Sequence, residues 1–414
     1  MKRKIAFVVQ RYGVEVNGGA EYLCRILAEQ LTRTNTYEVD VLTSCALEYV
    51  TWANWYPAET TDINGVRVHR FTVAHERQEG DWPNLVERKI KKWSRPEEWQ
   101  GLGRLRMWGR ALVGKSVRRY SQIWAQNQGP YTPDLITYLK RNHKQYDALI
   151  FITYLYFPTV AGLNVAPKKS IFIPTAHDEI PIYLPVFREV FQKPKAILFL
   201  TAAEKRFVHQ LFRNEAIYND ILGIGIESNQ ATAGVSVAQL LGTDSPYLIY
   251  IGRIDLAKGC DDLFNYFIRY KENKPGPLKL VLVGQTFMPL PEHPDIIPVG
   301  FVEEAVKVSL LKSAKLLIIP SLQESLSMVT LESFAYGIPV IANRGSEVIK
   351  DHIELSQAGL LYADYAGFEQ AVDQLLVQDS SEMGRKGKLY VDQNYTWDKV
   401  LARFAKAVDY VATR

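Results

Sequence analysis

The chain has 414 residues, 47% of them hydrophobic, 23% charged and 12% aromatic; these proportions exclude collagen-like, coiled-coil and wholly disordered classes and leave a globular protein of two or three domains. Its 49 Lys and Arg against 45 Asp and Glu give a net charge of +4, too small to make nucleic acid a default partner. Cys24, Cys45 and Cys260 are widely spaced, with no His or Cys at zinc-ligand spacing, which disfavours a disulfide framework or structural zinc and fits a reducing cytoplasm.

The chain opens on Met1-Lys2-Arg3-Lys4 and a five-residue apolar run, 5–9, too short for a signal sequence and suited to a strand. Next comes Arg11-Tyr12-Gly13-Val14-Glu15-Val16-Asn17-Gly18-Gly19-Ala20-Glu21, then a segment with Leu23, Ile26, Leu27 and Leu31 on one helical face. Strand, glycine loop and helix in that order let backbone amides approach a phosphate at the helix N-terminus. The motif is neither GxGxxG nor Walker A, so by itself a turn needed only for packing explains it equally well.

Further apolar runs at 39–42, 148–152, 171–173 and 196–200 read as strands. The uncharged stretch 148–167 has the length of a membrane span, but Pro158, Gly162 and Asn164 divide it into strand, turn and helix start. Pro174-Thr175-Ala176-His177-Asp178-Glu179 follows the third of these runs; a lone His is most often structural, and Asp178 would orient it or cap a turn. A hinge near Gly223 to Gly225 leads into 228–245, rich in Gly, Ser, Thr, Ala and Gln, and read as a linker. A second series of strands follows at 247–251, 278–283, 316–319, 340–341 and 360–362. Most runs are continuous rather than alternating, as for strands covered on both faces, which predicts two parallel α/β sheets.

The second series carries the stronger chemical signals. In Tyr250-Ile251-Gly252-Arg253-Ile254-Asp255-Leu256-Ala257-Lys258-Gly259, two cations stand five positions apart, each beside a glycine at a strand end. Such a pair can clamp a diphosphate and stabilise a departing nucleotide, although either cation alone would ordinarily be a solvated surface charge. Pro320-Ser321-Leu322-Gln323-Glu324-Ser325-Leu326-Ser327-Met328-Val329-Thr330-Leu331-Glu332 places two carboxylates eight residues apart. On one helix that spacing means roughly 12 Å of rise and ~80° of rotation, too far to share a proton or a metal. With Glu324 in a loop and Glu332 in the following helix, the pair would grip two ends of an extended ligand, with the helix N-terminus facing a phosphate.

Gly18-Gly19, the Arg253 and Lys258 pair, the Glu324 to Glu332 spacing and the tail Tyr336-Gly337-Ile338-Pro339-Val340-Ile341-Ala342 occur in one order. Together they closely resemble retaining glycosyltransferases of the GT-B fold, family 4, over most of the chain except about 74–127. The resemblance implies an α/β protein of two Rossmann-like domains whose parallel sheets face a central cleft. By it, 1–222 is an acceptor-side domain with a basic insertion at about 74–127, and 223–245 is hinge and linker. Residues 246–395 bind the nucleotide sugar, and 396–414 form a helix crossing back to the first domain.

Carried over by position, Glu332 binds the nucleotide ribose, Arg253 and Lys258 the diphosphate, and Glu324 the transferred sugar near its 3- or 4-hydroxyl. Ser325, Leu326, Ser327, Met328 and Val329 complete the donor site, Gly18 and Gly19 contact the phosphate from across the cleft, and His177 matches a histidine beside the donor sugar. His177, Glu324, Arg253 and Lys258 form the expected catalytic set. Many relatives read Glu-Gly-Phe-Gly where this chain has Glu324-Ser325-Leu326-Ser327; Ser can stand for Gly if φ stays negative, in a smaller or more polar sugar pocket.

The implied reaction is a hexosyl-type transfer with retention, from a nucleoside-diphosphate sugar to a saccharide or lipid-linked saccharide in cell-surface glycan synthesis. No close carboxylate pair like that of retaining glycosidases is present in the motif, so a front-face route assisted by the leaving phosphate is expected. The early Glu38-Val39-Asp40 leads into a strand rather than ending one, which gives no case for a metal, and no cofactor beyond the sugar nucleotide is expected. The alternative of another class is a catalytically inactive sugar-nucleotide-binding or assembly protein. An epimerase of similar fold is disfavoured by the Glu-x7-Glu pattern.

Residues 87–119 hold eleven Lys or Arg and three Glu, a net of +8, interleaved with Trp93, Trp99, Leu102, Leu105, Met107 and Trp108. One reading is a surface for anionic membrane lipid or a pyrophosphate-linked lipid acceptor, which would place a cytoplasmic enzyme at the inner face of the membrane. The other is an inserted helical subdomain with tryptophans inside and charges solvated. No nucleic-acid module surrounds the segment.

Overall fold

The computed structural model describes residues 2–77, 115–227, 236–377 and 379–413, with only the backbone of 115–120. The chain divides into two compact units: Met1–Leu200 with Glu204–Leu222 and Leu401–Arg414, and Thr201–Ala203 with Gly223–Val400.

The sheet of the first unit contains β1 (Arg3–Val8), β2 (Tyr37–Ser44), β3 (Thr60–Ile63), β4 (Val66–Phe71), β5 (Ala148–Ile152), β6 (Ser170–Ile173), β7 (Ala196–Phe199) and β8 (Tyr218–Ile221). Their spatial order is β3-β4-β2-β1-β5-β6-β7-β8. Pairing is parallel except between β3 and β4, because helical crossovers such as Gly19–Arg33 return the chain to the same end of the sheet. That helix buries Leu23, Leu27 and Leu31, the face its spacing predicts.

The second unit has β9 (Tyr247–Ile251), β10 (Lys279–Val283), β11 (Ile296–Gly300), β12 (Leu316–Ile319), β13 (Val340–Asn343) and β14 (Gly359–Tyr362). They lie in the order β11-β10-β9-β12-β13-β14 and are parallel throughout. The chain builds outward from β9 through β10 to β11, then crosses back to β12 and builds the other way. The loops after β9 and β12 therefore diverge at a topological switch point, where open parallel sheets bind ligands. The first sheet has the same device between β1 and β5.

Every predicted run is a strand, and 148–152, 247–251 and 316–319 match β5, β9 and β12 in full. Four strands escape the apolar pattern. β3 and β8 are edge strands reading Thr-Thr-Asp-Ile and Tyr-Asn-Asp-Ile, β11 is an edge strand carrying Pro298, and β4 alternates between buried and half-buried positions. An edge needs little apolar surface and tolerates Pro.

The stretch 148–167 is β5 followed by the helix Phe157–Gly162. Among the described residues no helix is long and apolar enough to cross a membrane. Within the linker region lies a short helix, Val237–Leu241, capped by Ser236 and closed by Gly242 at φ 67°. At the end of the stretch expected to be insertion lies the helix Lys115–Gln128, whose Trp124 and Ala125 join the core of the first unit; Trp124 meets Phe187 edge-on at 6.0 Å. Residues 78–114 of the basic stretch, including Trp93, Trp99 and Trp108, lie outside the described residues. In the C-terminal helix Trp397–Ala412, Phe404 stacks on Phe7 at 6.0 Å, Asp409 pairs with Arg3, and Tyr410 stacks on Tyr218 at 4.4 Å.

Candidate active site

In the second unit, the loop after β9 is shaped by Asp255 and Gly259. The Asp255 carboxylate accepts from the Lys258 amide at 2.8 Å, closing the turn Leu256–Lys258, and its other oxygen lies 3.3 Å from Arg253 Nη2. Gly259 has φ 72°, and a Cβ there would stand 2.9 Å from the Pro320 carbonyl, so glycine lets this turn seat against the end of β12. Tyr250 Oη donates to the Arg253 carbonyl at 2.6 Å. One short loop thus presents both Arg253 and Lys258. Lys258 Nζ donates to Glu324 Oε1 at 2.6 Å, and the Glu324 side chain is 18% exposed.

Glu324 lies in the loop after β12, and Glu332 in the helix Met328–Ala335. The condition placed on the serines fails at Ser327: its φ is 56°, in the left-handed region that glycine favours, while Ser325 keeps a negative φ. Ser327 Oγ shares a hydrogen bond with Thr330 Oγ1 at 2.8 Å. His352 fixes the loop from beneath. Its Nε2 donates to the Leu326 carbonyl at 2.9 Å, and in the neutral ring its Nδ1, 3.0 Å from Tyr390 Oη, accepts from that hydroxyl. The residue is 2% exposed, and burial pushes its pKa down to about 4.

Glu332 is 16% exposed, and its Oε2 accepts from Lys307 Nζ at 2.9 Å. Lys307 also meets Glu304 at 2.7 Å. Burial raises the Glu332 pKa, Lys307 opposes that rise and Glu304 adds to it. Burial pulls Lys307 down, but the two carboxylates outweigh it and hold the ammonium above its usual range. Each carboxylate of the Glu-x7-Glu pattern is therefore held on one oxygen by its own lysine.

In the first unit, Gly18 is the N-cap of Gly19–Arg33 with φ 130°. A Cβ on it would run into the Glu21 carboxylate and lie 3.1 Å from Arg11 Nη2. Arg11, 3% exposed, donates through Nε and Nη2 to Glu21 Oε1 at 2.9 and 2.7 Å, and reaches the carbonyls of Leu47 and Asn17 at 3.0 and 2.8 Å. This buried clamp gives Gly18 a packing reason of its own. His177 follows β6, with Nε2 3.5 Å from Glu179 Oε2. Asp178 accepts from Tyr183 Oη at 2.6 Å, and Glu179 is a carboxylate partner of the histidine. Burial pushes Glu179 up, but His177 and the Tyr154 hydroxyl outweigh it and keep the carboxyl below its usual pKa. Thr153 and Thr175, just past β5 and β6, have φ of 69° and 52°, a backbone that β-branched residues adopt only when the surroundings impose it.

The structure thus gathers Arg253, Lys258, Glu324 to Val329 and Glu332 around the switch point of the second sheet, and sets Gly18, Gly19 and His177 beyond strand ends of the first. Sequence reasoning missed Arg11, Glu21, Glu179, Lys307 and His352 as supporting groups. Arg11 and Glu21 flank the glycine motif, and an opposite-charge pair bracketing such a loop was a usable signal. Lys307 and His352 had none: they lie 25 and 26 residues from Glu332 and Leu326 in sequence, and only packing joins them.

Residues 245–378 match the family described as glycosyl transferases group 1. An uncharacterized glycosyltransferase of Methanocaldococcus jannaschii is 23% identical over 374 residues, covering 84% of this chain and 83% of its own. Sucrose-phosphate synthase from Thermosynechococcus elongatus superposes with a TM-score of 0.67 at 15% identity over 98% of both chains. The chain has the GT-B fold, and its residues 245–378 carry the match to the group 1 glycosyl transferases. A further structural neighbour, HepE of Anabaena in complex with UDP-glucose, matches the glycosyltransferase fold with a TM-score of 0.66 at 14% identity, over 98% of this chain and 99% of its own. The family match spans Arg253, Lys258, Glu324 and Glu332, and Lys307 with them.

Proposed function

We propose that the enzyme transfers a sugar, with retention, from a nucleoside-diphosphate sugar to a saccharide or lipid-linked saccharide in cell-surface glycan synthesis. The observation that carries this reading is the pair of lysine-held carboxylates on either side of a helix N-terminus at the switch point of the second sheet. Glu332 accepts from the ribose hydroxyls and Glu324 from the sugar, each with the oxygen its lysine leaves available. Arg253 and Lys258 balance the diphosphate charge as it leaves, so the transfer needs no metal. The amides of Ser325 to Val329 receive phosphate and sugar oxygens. Gly18 and Gly19 approach the phosphate, and His177, oriented by Glu179, lies beside the transferred sugar. The departing phosphate takes the acceptor proton on the front face. A UDP-sugar in the Anabaena neighbour supports a nucleotide-sugar donor. The basic segment 87–119 meets anionic lipid at the membrane surface.

A panel of UDP-, GDP-, ADP- and TDP-sugars, scored for binding and for nucleotide release, tests the reading. The wild type binds at least one donor, Glu332→Ala loses that binding, activity survives EDTA, and NMR of the product shows the donor's anomeric configuration. Donor binding without transfer to any saccharide or lipid-linked acceptor would favour the inactive binding protein instead.

A further inference from the structure

Lys307 belongs to no motif of the sequence. It rises from the helix Glu304–Ser313 and donates to Glu332 Oε2 at 2.9 Å. Glu332 Oε1 has no hydrogen-bond partner among the described residues. A carboxylate this deeply placed would tend to hold a proton, and a protonated acid has one acceptor oxygen fewer for a diol. A cation fixed on one oxygen opposes protonation, restricts rotation and leaves the second oxygen as a directed anionic acceptor.

We propose that Lys307 is a positioning residue for the donor: its ammonium holds Glu332 ionised and turned so that Oε1 accepts from the ribose diol. This inference rests on the assignment of Glu332 to the ribose. The charged groups acting on Glu332 come from one helix, Lys307 and Glu304, the latter about half exposed and bound to the same ammonium. The helix Ser381–Asn394, packed on Met328–Ala335, meets it through Gly387 against Phe334, and its Lys388 lies against Gly337 rather than Glu332. Strands β12 and β13 bring only apolar side chains and Asn343. Without Lys307, Glu332 has no cation and one carboxylate neighbour among the described residues, so its pKa rises further.

The test compares the affinities of UDP, GDP and ADP with those of their 2′-deoxy counterparts, across pH, in wild type, Lys307→Met, Lys307→Arg, Glu332→Gln and Lys307→Met/Glu332→Gln. Wild type prefers the ribonucleotide about tenfold, the scale of one hydrogen bond to a charged group. Lys307→Met loses that preference near neutral pH and regains it as pH rises far enough for Glu332 to ionise unaided; Lys307→Arg keeps it. On the Glu332→Gln background, Lys307→Met changes nothing more. A Lys307→Met enzyme with the wild-type preference at every pH, or a preference lost equally at every pH, overturns the inference, as do additive effects in the double variant. Should Lys307→Met not fold, the Lys307→Arg result and the Glu332→Gln background decide the matter, since a neutral partner removes the stranded charge. If wild type and Glu332→Ala show the same ribose preference, the ribose assignment itself fails, whatever Lys307 does.

Discussion

Ser327 and His352 set the shape of the loop that carries Glu324, by opposite means. Ser327 is held at φ 56°, against a left-handed cost of roughly 1–2 kcal/mol for an L-residue, and recovers part of it through Thr330. Ser327→Gly is expected to lie within about 1 kcal/mol of wild type, because lost strain, lost hydrogen bond and glycine's unfolded-state entropy largely cancel. Ser327→Val should cost roughly 2 kcal/mol or more, since a β-branched residue fits that region worst. Urea unfolding of the two variants measures the difference, and an equal loss in both would refute the strain assignment. His352 acts through neutrality: its folded pKa of about 4 lies below the 6.5 of an unperturbed imidazole. Its contribution is complete above the unfolded pKa and is lost as pH falls from there to the folded one, a change of roughly 3 kcal/mol. His352→Phe should lower stability at neutral pH by about 1–3 kcal/mol, through the stranded Leu326 carbonyl and Tyr390 hydroxyl, and should flatten the acid limb. Urea midpoints between pH 7 and pH 4 read both effects.

At the scale of elements, the junction between β1 and the helix Gly19–Arg33 depends on the Arg11–Glu21 clamp. Removing only the cation strands a buried carboxylate, so Arg11→Met is expected to destabilise the protein by about 3–5 kcal/mol, with Arg11→Met/Glu21→Gln markedly milder. Thermal or urea unfolding of both variants checks the order, and equal losses would mean that the clamp is packing rather than charge. Strand existence was legible wherever a strand is covered on both faces, as in β5, β9 and β12. It was not legible at β3, β8 and β11, where an edge position removes the demand for apolar residues. The β3–β4 hairpin did leave a mark: Asn64 and Gly65 take φ of 53° and 83°, the two-residue turn that Asn-Gly favours.

For the whole molecule, charge is unevenly placed: residues 87–119 carry a net +8 within a total of +4, leaving the remainder mildly acidic. Such a segment should bring the enzyme to vesicles of anionic lipid at low salt and release it at high salt, with none bound to neutral vesicles; co-sedimentation reads this, and salt-insensitive or absent binding would return the segment to a structural role. The sequence alone determined the two parallel sheets, because buried strands and crossover helices need long apolar runs in a fixed rhythm. It also determined the ordered motif of glycines, cations and carboxylates, since chemistry at strand ends is written in short local stretches. Only the tertiary structure decided which groups support that chemistry. Lys307 under Glu332 and His352 under Leu326 are chosen by packing and burial between segments that no local periodicity connects.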